Sequence, residues 1–355
     1  MHTFWDNLPQ PFFILAPMEA VTDVVFRHVV KRASAPDVFF TEFANATGWV
    51  HAGDKAIAGR LVKTDDEHPL VAQIWGGEPG DMEQFAAHCA KLGFDGIDIN
   101  MGCPAKSAIK SGGAALIRRP DVAVAAIAAA KTANLPVSVK TRLGYTHVDE
   151  WREWLTTILQ QDIVNLTIHL RTKKEMSKAP AHYELIDDII KLRDEIAPQT
   201  LLTINGDIRD RAHGEELARQ HPGINGLMIG RGIFSDPFCF AYTGARASQK
   251  TIRDPREVAQ IFSETPLAPT NAHAEPEVEN NSLPAITNHK QELIKLLNYH
   301  LDLFDRYQPT LGRPFETLKR FFKIYIRDFD GAKELREQLM NTKNTDEVRQ
   351  LINSN

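Results

Sequence analysis

No stretch of the 355 residues approaches the roughly 18 consecutive apolar residues of a membrane-spanning helix, so no membrane partner is expected. The first residues, Met1 to Pro11, hold no basic segment leading into an apolar run, which points to a soluble, unprocessed, cytoplasmic chain. Cysteine is scarce. Cys89, Cys103 and Cys239 are too scattered for a disulfide framework, none forms a C-x-x-C pair, and no metal site is expected. Positive charge is short as well: 41 Lys and Arg face 46 Asp and Glu, a net charge of -5 that by itself argues weakly against a nucleic-acid partner, whose phosphates need clustered Lys and Arg. Apolar content is plentiful at 43%, enough for one large domain or two ordinary ones, and it excludes a disordered chain.

Short runs rich in β-branched residues recur up to about residue 230, each followed by a segment of helical period. The expected strands are Phe12-Ala16, Val38-Glu42, Leu70-Trp75, Gly96-Asn100, Val137-Thr141, Val164-His169, Leu201-Asn205 and Gly226-Ile229. Several are apolar throughout, as strands buried on both faces are, which favours a closed parallel (β/α)8 TIM barrel with apolar layers inside. Intervening helices are expected over Asp81-Leu92, Asp121-Ala133 and Tyr183-Glu195. From about Ser263 to Asn288 the text is rich in Pro, Asn and Glu and has no period. The expected division is a barrel over 1–245, a linker or long loop over 246–288, and over 289–355 a helical bundle of three amphipathic runs.

In such a barrel the functional groups sit where strands end at the open top. Strand ends here carry Ala16-Pro17-Met18, Glu42, Gln73, Asn100 through Pro104, Lys140-Thr141-Arg142, His169-Leu170-Arg171, Asn205-Gly206-Asp207 and Gly230-Arg231-Gly232. The glycines after the last two strands let backbone N–H groups approach a phosphate, or they mark two tight turns and no more. Lys140 and His169 would then face the ring of a phosphate-bearing cofactor; taken singly they read as a solvated strand-end cation and a core histidine. Cys103, between Gly102 and Pro104, opens the glycine-bearing stretch "CPAKSAIKSGGAAL". It is either a small buried hydrophobe or a thiol able to give a proton to carbon, on a segment able to move as a lid.

The segments "APMEAVTD", "AQIWG", "DGIDINMGCPAKSAIKSGGAALIRRP", "VSVKTRLG", "IHLRT", "INGDI" and "MIGRGIF" occur in an order and spacing that resemble the tRNA-dihydrouridine synthases. The likeness covers residues 12 to about 240, and "DINMGCPAK" is its most specific element. The resemblance implies FMN held by Ala16, Pro17, Met18, Gln73, Lys140, His169, Asn205, Gly206, Asp207, Gly230 and Arg231, with NADPH or NADH as reductant. It implies Cys103 as the proton donor in reducing the C5=C6 bond of a tRNA uridine, a base extruded to be reached, with Asn100, Lys106, Arg142 and Arg171 as contacts. A monomer is expected to suffice. The pattern departs after the sixth strand, where Leu170 and "KKEMSKAPAHYELI" stand in place of a glycine and a Tyr-x-Gly-x-Ala-x-Trp run.

Two rival functions fit part of this pattern. An FMN-dependent dehydrogenase of a free pyrimidine would have similar strand ends but no use for a basic helical appendage. A non-catalytic tRNA-binding or tRNA-folding protein would not need Cys103, Lys140 and His169 together. The appendage is basic locally: Arg306, Arg313, Lys319, Arg320, Lys323 and Arg327 are opposed by Glu316 alone. One helix over Phe315-Arg327 is expected to bury Phe315, Leu318, Phe322 and Tyr325 and to turn Lys319, Arg320, Lys323 and Arg327 toward RNA.

Overall fold

A computed structural model describes residues 2–242 and 285–354. The β-branched and aromatic runs form β1 (Phe12–Leu15), β2 (Val38–Phe40), β3 (Ala44–Asn45), β4 (Leu70–Trp75), β5 (Gly96–Asn100), β6 (Val137–Arg142), β7 (Asn165–His169), β8 (Leu201–Asn205) and β9 (Gly226–Ile229). All pairings are parallel, and β1 bonds to both β2 and β9, which closes the ring. The unexpected β3 is two residues that pair with the end of β4, while β2 pairs with its start. The ring therefore has eight strand positions, as expected. The expected helices form as Pro79–Lys91 and Pro120–Lys131, each opened by a proline whose missing N–H costs nothing there, and as Ile186–Ile196 after a 3₁₀ turn at Tyr183–Leu185.

Alternation along the strands sends Phe13, Leu15, Ala72, Ile74, Ile97, Ile99, Ile168 and Ile204 outward into the helix-lined core. Inside the ring, Phe12, Ile14, Val38, Phe40, Val71 and Met228 form a separate apolar plug with Trp5. The expectation of apolar layers throughout the interior is corrected here. From β4 to β8 the inward positions include Gln73, Asp98, Ser138, Asn165, Thr167 and Thr203, each with no exposed surface. They tolerate burial because they satisfy one another: Thr203 Oγ1 donates to Asn165 Oδ1 at 2.7 Å, Asn165 Nδ2 to Thr167 Oγ1 at 3.2 Å, and Ser138 Oγ to Asp98 Oδ1 at 2.6 Å.

The expected linker over 246–288 lies outside the described residues as far as 284; a long helix, Ala285–Leu311, begins within its last four positions. Instead of three amphipathic runs there are five helical segments, the others being Glu316–Lys319, Phe322–Tyr325, Ala332–Met340 and Thr345–Asn353. Leu293, Leu296, Leu297 and Leu301 give the long helix its buried stripe. Aromatic rings fasten this bundle to the barrel: Phe26, on the helix Val24–Ser34 after β1, lies 4.8 Å from Phe321 and 6.0 Å from His300, centroid to centroid.

The single helix expected over Phe315-Arg327 does not form. Phe321, Phe322, Ile324, Tyr325 and Ile326 are all buried, more apolar surface than one helical face can hide. The chain tightens into short turns instead, with Phe321 N–H donating to Leu318 O and Ile324 N–H to Phe321 O. Among the described residues no helix is long and apolar enough to cross a membrane.

Candidate functional site

The strand ends converge on an open cavity of about 670 Å³, within the usual size of cofactor sites. Ala16, Pro17, Met18, Lys140, Arg142, His169, Asn205, Gly206, Asp207, Gly230 and Arg231 all line it. Residues that sequence reasoning missed stand beside them, among them Ser177, Arg209 and Ser235. Of the eleven positions to which the resemblance assigned the cofactor, only Gln73 is absent from the wall. It has no exposed surface, because its amide is spent on Asp98 and Asn100.

The wall is held from behind by arginines. Arg171 is 2% exposed: Nε donates to Ala179 O at 2.6 Å, Nη1 to His169 Nε2 at 3.0 Å, and Nη2 to the Asp207 carboxylate. Arg171, expected at the substrate, is thus not in the cavity wall: three of its five N–H groups are used inside the protein, where it holds His169 and Asp207. A guanidinium only donates, so Nε2 of His169 must accept, and the imidazole is neutral with its proton on Nδ1. Burial, reinforced by Arg142, Lys140, Arg171 and Arg231, holds His169 far below the ordinary histidine value.

Arg142 is 6% exposed and donates to Gly102 O, Thr172 O and Met176 O. It joins the Cys103 turn to the loop after β7 through Nε and Nη1, and it also lines the cavity. That loop is the one whose sequence departs from the family pattern. It puts Ser177 in the wall, and Ala181 N–H donates to Asp207 Oδ2 at 3.0 Å.

The phosphate-suited turns have the expected backbone. Gly206 lies at φ +122°, and a Cβ there would meet the His169 ring carbon Cδ2 at 3.2 Å, so the turn needs glycine. Tyr183 Oη donates to Gly206 O at 2.6 Å and pins it, a contact that strand-end reading could not find. Against the upward pull of burial, bonds from Arg171 and from Ala181 N–H keep the Asp207 carboxyl below its ordinary value. Arg231 Nη2 meets its other oxygen at 2.9 Å. Asp207 thus orients two arginines, and its own charge excludes a direct carboxylate contact with phosphate.

Lys140 is half-buried in this wall, and its ammonium has no hydrogen-bond or ion-pair partner among the described residues. Burial, and after it the neighbouring Arg142, bring it down to about 8. Cys103 is not itself in the wall, but its thiol lies within electrostatic reach of Lys140 and Arg142, which are. Burial raises the thiol above its ordinary value, against the pull of those cations, so it stays protonated at neutral pH. Its loop is anchored by Ala114 N–H donating to Cys103 O at 3.0 Å; Gly113, at φ +57°, leaves no room for a Cβ there. Asn100, expected at the substrate, is 6% exposed: it accepts from Gly102 and Cys103 N–H and donates to Gln73, so it shapes the turn. Lys106 is exposed on the same loop.

The basic residues of the bundle separate into two groups. Arg320 Nη1 donates to Ala20 O at 3.1 Å and Arg327 to Ser235 O, so each gives one bond to a barrel loop. Arg313, to which the sequence gave no role, bridges Asp23 at 3.4 Å and the fully buried Glu42. Burial pushes that Glu42 carboxyl up to about 7 against the opposing pull of Arg313. Lys319, whose Nζ donates to Met340 O at 3.0 Å, joins Arg320, Lys323, Lys333 and Arg336 around an open groove of about 420 Å³ on the outer side. Lys323 and Lys333 are exposed there.

The family model for dihydrouridine synthases matches residues 14–354. A protein of Bacillus subtilis (strain 168) named "Probable tRNA-dihydrouridine synthase 2" is 53% identical over 98% of this chain and 95% of its own. A "Probable tRNA-dihydrouridine synthase" of Staphylococcus aureus (strain Mu50) is 51% identical over 98% of this chain and 94% of its own. Among solved structures, morphinone reductase in complex with tetrahydroNAD aligns at 12% identity over 66% of this chain and 86% of its own, with a TM-score of 0.46. With a family match that runs through barrel and bundle alike, this chain belongs to the dihydrouridine synthase family.

Proposed function

We propose that this chain is a flavin-dependent tRNA-dihydrouridine synthase that reduces the C5=C6 bond of a uridine with NADPH or NADH. Lys140 is the observation that carries the reading: a half-buried cation without a hydrogen-bond or ion-pair partner among the described residues, in the wall of a cavity of cofactor size. Such a charge favours an electron-rich ring that gains negative charge on reduction, as a flavin does near N1. The residues present fit FMN. Arg231 and Arg209 stand by the Gly206 and Gly230 turns where a single phosphate is accommodated, Asn205 fixes one turn by donating to Met228 O, and Ala16, Pro17 and Met18 complete the wall. The chain carries no G-x-G-x-x-G dinucleotide loop.

When bound, the flavin supplies a hydride to C6 of the uracil. The chain's own chemistry is to deliver the proton that C5 needs, from the Cys103 thiol, and to keep Lys140 charged and His169 neutral beside the ring. A base stacked within folded RNA cannot reach this depth, so the uridine is extruded, with Lys106 on the Cys103 loop as its exposed cationic contact. The outer groove of the bundle meets tRNA phosphates. The purified protein is accordingly expected to be yellow and to release FMN, not FAD, on denaturation; a colourless protein that FMN cannot reconstitute contradicts the assignment.

Lys323 and Lys333, both exposed in the groove, test the RNA surface without disturbing the bonds that Arg320 and Arg327 give to the barrel. The Lys323→Glu/Lys333→Glu variant is expected to keep its flavin while binding tRNA more weakly. Its salt dependence should be shallower, by roughly 0.9 in log–log slope for each phosphate that is no longer neutralised. Filter binding across salt concentrations measures both quantities, and an unchanged slope would return the groove to ordinary solvated surface.

A further inference from the structure

Strand register places Gln73 of β4 beside Asp98 of β5, and Asp98 beside Ser138 of β6, all pointing into the ring. Ser138 Oγ donates to Asp98 Oδ1 at 2.6 Å and Gln73 Nε2 to Asp98 Oδ2 at 2.7 Å. Asn100, two residues beyond Asp98 and so on the same side, donates from Nδ2 to Gln73 Oε1 at 3.0 Å. Its Oδ1 accepts from Gly102 N–H at 3.1 Å and Cys103 N–H at 2.9 Å. We propose that Asp98 is a positioning residue for Cys103, acting through the side-chain amides of Gln73 and Asn100, whose directions it fixes. The proposal rests on Cys103 being the proton donor.

The chain of bonds has a direction. A carboxylate only accepts, so Gln73 must turn its NH₂ toward Asp98 and its oxygen toward Asn100. Asn100 must answer with its own NH₂, which leaves its oxygen facing the turn that carries Cys103. From the other end, the N–H groups of Gly102 and Cys103 require an acceptor and demand the same orientation. The two requirements meet without conflict between Gln73 and Asn100. Reversing either amide would set donor against donor or acceptor against acceptor at a site closed to water. Burial pushes the Asp98 carboxyl up to about 6, with Ser138, Gln73 and Lys140 opposing, so it is ionised at neutral pH and the direction holds. Polar packing alone would need the volumes of these side chains but not their polarity.

That distinction sets the experiment, done on the full flavin-loaded chain with Asn100→Asp, Asp98→Asn and the double variant. Asn100→Asp puts a carboxylate on each side of Gln73, whose single NH₂ can answer only one of them. Single-turnover dihydrouridine formation and iodoacetamide alkylation of Cys103 should each change by roughly tenfold or more, as expected for one frustrated buried bond. Cys89 and Cys239 are fully buried, so alkylation reports on Cys103. Asp98→Asn alone is mild, because its new amide can keep its oxygen toward Gln73 and its NH₂ toward Ser138. The double variant rebuilds the chain in reverse: the new amide at position 98 donates to Gln73 Oε1, and Gln73 Nε2 donates to the new carboxylate at position 100, which still accepts from the turn. Recovery of both readouts toward the parent is the expected result. A double variant no better than Asn100→Asp, or one that fails to fold or to hold flavin, overturns the proposal, as does a parent-like Asn100→Asp. Alkylation is read without catalysis, so it separates failure of this relay from failure of the proton-donor assignment, which only turnover of Cys103→Ala can reveal.

Discussion

Cys103→Ala is expected to retain bound flavin and its reduction by NADPH while losing dihydrouridine formation by about 10²- to 10⁴-fold, the usual contribution of a positioned general acid. Hydride delivery to C6 leaves C5 in need of a proton, and burial keeps the Cys103 thiol protonated to give one. The turn that carries it is held on three sides, by Asn100 at its N–H, by Arg142 at Gly102 O and by Ala114 at its carbonyl. Because alanine preserves all three backbone contacts, the variant removes the proton and little else. Rapid-mixing measurement of flavin reduction beside single-turnover tRNA modification separates the two halves of the reaction. Modification at the parent rate would make Cys103 a packing residue.

Lys140→Met is expected to lower the rate of flavin reduction by about 10²-fold, the scale of losing one preorganised charge beside a developing anion. Methionine keeps the length and apolar stem of lysine, so the loss is electrostatic. The sign of the pH dependence follows from the same group. The free protein's Lys140 is charged below about 8 and neutral above it, so affinity for the anionic cofactor should fall as pH rises through that value. Lys140→Met should abolish that dependence. A flavin titration between roughly pH 6 and 10, bracketing that value, checks it. Identical pH profiles for parent and variant would remove Lys140 from the cofactor's surroundings.

The strands were legible because burial on both faces leaves short β-branched runs between helical periods, and all eight expected positions in the ring are filled. The strand ends were legible for the same reason: a barrel brings them to one face whatever their sequence separation, so ten of eleven expected cofactor positions line one cavity. What the sequence did not reveal is where polar side chains spend their bonds. Gln73, Asn100 and Arg171 sit at strand ends like the others, but their partners come from neighbouring strands and from the loop after β8, and those partners turn them inward. Arg142 reaches the wall yet uses Nε and Nη1 on backbone carbonyls of two loops. The basic stripe is arranged differently from the expected one for another reason. Helical spacing over Phe315-Arg327 put the cations on one face, whereas burial of every residue from 321 to 326 except Lys323 breaks that helix, and Arg320 and Arg327 each give a bond to the barrel.

Whether this chain reduces uridine in tRNA is decided by incubating the purified, flavin-loaded protein with NADPH and tRNA lacking dihydrouridine, then digesting the RNA and quantifying nucleosides by mass spectrometry. The expected result is uridine converted at a defined position to a nucleoside heavier by two hydrogens, with NADPH consumed in equal amount and no conversion by Cys103→Ala. Oxidation of NADPH with free uracil or uridine but none with tRNA, or unaltered tRNA from a fully reduced flavoprotein, would contradict it.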